Sequence, residues 1–160
     1  MGAEPGDDSE AELKLDDYLP YRLATASSAV SGVIARAYQT RFGLTIPQWR
    51  LVCVLAGVGR LTQAQLVSRT FMDKVTVSRA AQGLVRRRLV ERSDNTADGR
   101  SHVLSLTLDG RRLFADLAPV ARAYEEAVIA QLEPSEVQLL RRLLGRLQAA
   151  AVRLGEDVEP

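Results

Sequence analysis

Apolar residues recur every three or four positions between Asp16 and Phe42, where Leu19, Leu23, Ala26, Val30, Val33, Ala37, Tyr38 and Phe42 share one stripe. That is the period of a helix face, so the pattern predicts a first long helix over 16–42, stopped by Gly43. Thr45, followed three residues later by Gln48 and with Pro47 in the first turn, reads as a capping box. A second helix therefore runs to about Ala56, where Gly57 and Gly59 break the chain. Thr62 and Gln65 repeat the capping pattern and open a short third helix, to about Arg69. Asp73 is a good N-cap for a fourth helix reaching Arg88.

The period then changes to two. Val90 to Ser93 and Val103 to Thr107 are short β-prone runs, the second alternating Leu104, Leu106 and Leu108 with Ser105 and Thr107. The intervening loop contains Asp98-Gly99, so a two-stranded hairpin is expected. Leu113, Leu117, Val120, Tyr124 and Val128 mark a fifth helix over about 108–132, bent at Pro119, which lacks a backbone donor. Pro134 starts a sixth, whose Val137, Leu140, Leu144, Leu147, Ala151 and Leu154 form the seam of a helix that packs on another helix. The expected fold is mainly α with a small β-hairpin.

At 160 residues, 46% of them hydrophobic, the chain fits one compact domain with tails. Residues 1–12, rich in Gly, Pro and acids, read as a disordered acidic tail, and 155–160 as a second tail. No uninterrupted apolar run approaches the roughly 18 residues of a membrane span, and the acidic start lacks a signal-peptide layout. The expectation is a cytoplasmic protein without membrane contact. A net charge of +1 conceals an uneven distribution. Residues 1–12 hold five acids and no base, whereas Arg60 to Arg112 holds eleven Lys and Arg against five acids. A concentrated basic stretch suits a polyanion partner, although a solvated surface face has the same composition.

The fourth helix separates these readings. At about 100° per residue, Val77, Ala80, Ala81 and Leu84 fall on one face, and Val75, Ser78, Arg79, Gln82 and Arg86 on the other. Arg can bond both guanine acceptors, Gln can pair with adenine, Ser adapts to either, and an apolar tip can meet a thymine methyl. Lys74, Thr76 and Arg86 lie where phosphates could be reached. A short helix before it, beginning at Thr62 and Gln63, makes a helix-turn-helix, and the hairpin after it carries Arg100 at its tip. Phe71-Met72, in the turn, reads as an apolar plug for the core.

The run LTQAQLVSRTFMDKVTVSRAAQGLVRRRLVERSDNTADGRSHVLSLTLDGRRLF resembles the MarR family of bacterial transcription factors. TIPQWRLVCVL upstream is similar to that family's second helix, and the likeness covers about Pro20 to Leu154. The resemblance implies a MarR-type domain over 13–154: a winged helix-turn-helix at about 44–108 between dimerisation helices at about 16–42 and 108–154. It implies a homodimer on a palindromic double-stranded operator, acting as a repressor relieved by a small aromatic or phenolic effector. Thr62, Gln63, Lys74, Thr76, Ser78, Arg79, Gln82 and Arg86 would then contact DNA, with Arg100 in the minor groove and Asp98 bracing the wing. Tyr38, Trp49 and Arg50 are candidates to line the effector cleft, against the alternative that aromatics on a helix face are core. Two positions depart from the family. Arg88 replaces a helix-ending glycine and has to cap the helix with positive φ, and Gly83 softens the helix.

Cys53 is the only cysteine, which excludes an intrachain disulfide and a two-cysteine metal or redox motif. Among Leu51, Val52, Val54 and Leu55 it reads as a small buried hydrophobe, the alternative being a thiol redox switch. With His102 and Cys53 as the only soft ligands, no metal is expected, and no cofactor. No nucleophile, base and orienting partner assemble from this sequence, so an enzyme is not expected. A dimeric interaction module without DNA would account for the sixth helix and leave the basic hairpin unused.

Overall fold

The computed structural model describes residues 14–95 and 101–158, with side chains to residue 155. In chain order its elements are α1 (Leu19–Phe42), α2 (Ile46–Val58), β1 (Leu61–Thr62), α3 (Gln63–Thr70), α4 (Lys74–Arg86), β2 (Val90–Asp94), β3 (His102–Leu106), α5 (Leu108–Ile129) and α6 (Pro134–Val158). Two compact units result, one up to Phe114 and one from Ala115 onward.

Within the first unit both capping boxes form. Thr45 Oγ1 accepts from Gln48 N while Gln48 Oε1 accepts from Thr45 N, and Thr62 with Gln65 repeats the exchange. Gly43 ends α1 at φ 60°, where a residue without Cβ is cheap. Arg88 does the corresponding work after α4 at φ 58°, the positive angle its place requires. Beside it the Arg87 guanidinium reaches across to the end of α1, donating to the carbonyls of Gly43 and Phe42 at 2.8 Å each. These carbonyls are among those a helix terminus leaves unpaired.

The hairpin belongs to a three-stranded antiparallel sheet ordered β1-β3-β2, rather than standing as two strands. Leu61 pairs with Leu104 and Thr62 with Val103, a strand of two residues, too short to show any alternation. Between β2 and β3, Val90 faces Leu106 and Arg92 faces Leu104. β3 stops at Leu106, so Leu108 begins α5 and is exposed instead of continuing the strand. α5 runs on through Pro119 to Ile129, and α6 continues past Gly155 to Val158 instead of ending at Leu154.

The core gathers Leu51, Val52 and Leu55 of α2, Leu66 of α3, Val77 and Leu84 of α4, and Leu104 and Leu106 of β3. Small residues let these elements approach. A Cβ on Gly83 would lie 2.5 Å from Gln48 Nε2, so this glycine makes room for the side chain that caps α2. Gly110 is tighter, for its Cβ would collide with the Leu89 carbonyl oxygen, which already accepts from Thr107 N at 3.1 Å. The Thr107 hydroxyl completes the junction, donating to Arg88 O at 2.7 Å and accepting from Gly110 N at 3.0 Å. Because the obstacle is backbone, Gly110→Ala should lower stability by about 1–3 kcal/mol, the cost of overpacking, measured as a fall in the urea midpoint. An unchanged midpoint would show that α5 yields freely at its start.

Candidate nucleic-acid interface

α4 is split as its sequence requires: Val77, Ala80, Ala81 and Leu84 are buried, while Lys74, Val75, Arg79, Gln82 and Arg86 are exposed. Asp73 caps its start, one carboxyl oxygen accepting from Thr76 N at 2.8 Å and the other from Thr76 Oγ1 at 2.6 Å. These bonds to Thr76 favour the carboxylate and hold Asp73 below its ordinary acidity value. The cap is thus fully present above pH 4 and is lost as pH falls through the lowered value.

Between α3, α4 and the sheet lies a concavity of about 780 Å³. Six of the residues expected from sequence line it: Thr62, Gln63, Lys74, Ser78, Gln82 and Arg86. Among the described residues, no aspartate or glutamate lines it. Gln82 Nε2 donates to Ser78 Oγ at 3.3 Å. Two expected residues stand elsewhere. Arg79 is exposed on the outer side of α4 and does not line the concavity, and the Thr76 hydroxyl is engaged by Asp73. Asp98 and Arg100 lie outside the described residues.

The sheet adds Arg92, Asn95 and Ser101, which sequence reasoning had not assigned, and His102, read from the sequence as facing solvent or phosphate beside the wing. Their signal was present: Arg92 pairs with Leu104 and Asp94 with His102, so the alternation through Leu106 and Leu104 carries to His102 on the same face. Asn95 and Ser101 tie the strands together beyond that point, Asn95 Nδ2 donating to Ser101 Oγ at 2.8 Å. His102 Nδ1 stands 3.2 Å from Asp94 Oδ1 at the exposed rim.

Of the residues suggested for an effector cleft, Tyr38 of α1 and Trp49 of α2 pack together. Tyr38 is fully buried, its ring edge-on to Trp49 at 5.3 Å and to Phe42 at 6.3 Å, which makes it a core residue. Trp49 Nε1 is buried with no hydrogen-bond partner among the described residues, and Arg50 is half-buried. Burial pushes the Cys53 thiol up to about 11, the reverse of what a reactive thiolate needs. In the turn, Met72 is half-buried whereas Phe71 is exposed, so only one of that pair plugs the core.

A short helix, a tight turn, a second helix with a cationic outer face and an adjoining small antiparallel sheet together define a winged helix-turn-helix protein. Residues 42–101 match the model of the MarR family. The chain is 30% identical over 105 residues to the HTH-type transcriptional repressor NicR of Pseudomonas putida, covering 63% of this chain and 66% of NicR. It thus spans just under two thirds of that relative's length. The crystal structure of a probable transcriptional regulator from Pseudomonas aeruginosa is 34% identical, with TM-score 0.74, covering 84% of this chain and 99% of that one. A structure of Bordetella bronchiseptica BpsR, whose DNA binding is regulated by 6-hydroxynicotinic acid, shares the fold at 24% identity and TM-score 0.78, covering 84% and 96%. The chain belongs to the MarR family of transcriptional regulators.

The thiol offers a direct check on the buried environment of α2. Below pH 9 both thiols are mostly protonated, but the folded one, at about 11, holds roughly a hundredfold less thiolate than the unfolded reference at 9.0. Iodoacetamide at pH 8 should therefore label folded protein at least about tenfold more slowly than urea-unfolded protein. Equal rates would show Cys53 to be accessible and acidic.

Proposed function

We propose that the protein is a homodimeric, sequence-specific DNA-binding repressor that reads a palindromic operator with α4 and is released from it by a small effector. The observation that carries this reading is the concavity in which Lys74, Arg86 and Arg92 accompany the hydrogen-bonding side chains of Ser78, Gln82 and Asn95, with no acid lining it among the described residues. Cations neutralise phosphates, and the amide and hydroxyl groups read base edges. Arg79, on the outer side of α4, extends the same surface and suits a bidentate bond to guanine. Arg100 and Asp98 lie outside the described residues; on this reading Arg100 would enter the minor groove and Asp98 would brace the wing, as the family resemblance implies.

Exposed apolar stripes support the dimer. Leu19, Leu23, Val30 and Val33 on α1 are open to solvent, and so are Leu140, Leu144, Leu147 and Leu154 on α6. Stripes of this length on helices mark interfaces. Repression follows the name of NicR. An aromatic or phenolic effector is supported by the regulation of BpsR and by the unpartnered Trp49 Nε1, which an effector oxygen would satisfy. Such an effector shifts the protein only by its differential affinity for the bound and free arrangements.

Selection of bound sequences from random DNA should enrich an inverted repeat whose half-sites lie about one helical turn, near 34 Å, apart. No enrichment would favour an interaction module that does not use DNA. On the enriched site, Arg79→Ala should remove discrimination worth about 1–3 kcal/mol, while Lys74→Ala should weaken all sequences alike and reduce the salt slope by about one. Equal losses on specific and random DNA for Arg79→Ala would remove the base-reading role assigned to it.

A further inference from the structure

The outer face of α4 is not uniformly polar. At about 100° per residue, Val75 lies between Ser78 and Arg79 in angle and in line with Gln82 and Arg86, so it occupies the middle of that face. It sits in the first turn of the helix and is 56% exposed. One turn earlier in sequence, Phe71 is 63% exposed. Phe71 also holds φ 53°, the left-handed region that suits glycine and strains other residues. The turn therefore carries a large aromatic side chain where a glycine would relax the backbone, and gives that side chain to solvent rather than to the core. Met72, its neighbour, already serves the core.

We propose that Val75 and Phe71 form an apolar reading tip that packs on the 5-methyl group of a thymine in each operator half-site. This inference rests on the DNA-binding reading above. The first turn of a recognition helix is the part that reaches base edges. In the major groove the thymine methyl is the one apolar feature a base pair displays, and aliphatic and aromatic side chains are its complements. Lys74 beside Val75 and Arg79 one turn on are both exposed, so the tip is flanked by a cation that can hold the sugar-phosphate backbone and by the arginine assigned to a guanine, and it meets the base between them. Lys74, next to Val75 in sequence, lines the basic concavity, which favours the same DNA duplex over a separate protein partner as the occupant of the tip.

Replacing thymine by deoxyuridine deletes only that methyl group. On the duplex obtained by selection, with each thymine replaced in turn, wild-type binding should weaken about fourfold at one position per half-site, the value of one buried methyl. Val75→Ala should bind thymine and uracil duplexes alike, whereas Val75→Thr, which keeps a methyl, should still discriminate. Phe71→Gly should lose part of the discrimination while its thermal midpoint stays the same or rises, because glycine relieves the left-handed backbone. A purely structural Phe71 would instead lower the midpoint and leave the thymine preference intact. Tight wild-type binding indifferent to uracil at every position would overturn the tip and leave the DNA reading standing. Discrimination retained by Val75→Ala would overturn it equally. Failure to enrich any DNA sequence removes both together.

Discussion

Everything in the reading head depends on the burial of one side of α4. Val77, Ala80, Ala81 and Leu84 close against α2, α3 and the sheet, and that closure decides which side chains are left outside. Rotating the helix by one residue, about 100°, would turn Ser78 and Gln82, or in the other sense Thr76 and Arg79, inward and expose Val77. An unpaired buried amide or guanidinium is far more costly than an exposed valine, so the rotation is heavily disfavoured. The residues of the packed side are small where α2 comes nearest. Gly83 leaves space for Gln48, which in turn closes the capping box of α2, so the cap of one helix and the approach of the next are a single arrangement.

Much of this was legible in the sequence because it is written in local rules. Both capping boxes, the Asp73 cap and the two faces of α4 follow from residue type and spacing over four to eight positions, whereas the positive φ at Arg88 is expected from the family resemblance, which puts a glycine there. What could not be read came from contacts between distant segments. β1 is two residues long and exists only because β3 offers Leu104 and Val103 as partners. Gly83, read locally as a softening of the helix, is a packing residue once Gln48 is placed above it. Arg92 and His102 join the concavity through strand register, which extends a visible alternation two positions further than its leucines. Tyr38 illustrates the opposite case. Its place on a helix face allowed a cleft or a core, and the ring of Trp49 at 5.3 Å decides for core.

Electrostatics follows the same division between whole and part. A net charge of +1 gives almost no long-range field, yet among the described residues the charged groups lining the concavity are cations and none is an acid. Attraction of a polyanion by such a patch is short-ranged at physiological ionic strength, where the screening length is about 8 Å. Orientation is therefore favoured over capture: a duplex gains by facing this surface, and little by facing any other.

The guanidinium of Arg87 gives the fold a property that burial alone does not. It sits at the end of α4 and donates to two consecutive carbonyls, Phe42 and Gly43, at the end of α1. A planar fork bonded twice resists twisting as well as separation, which a single ammonium contact would not. The last turn of α1 and the last turn of α4 thus share one rigid joint, and the angle between the two helices is held by a side chain whose bonds are open to water. Such a joint is stiff against small displacements but can be surrendered whole, since solvent replaces both bonds when it lets go.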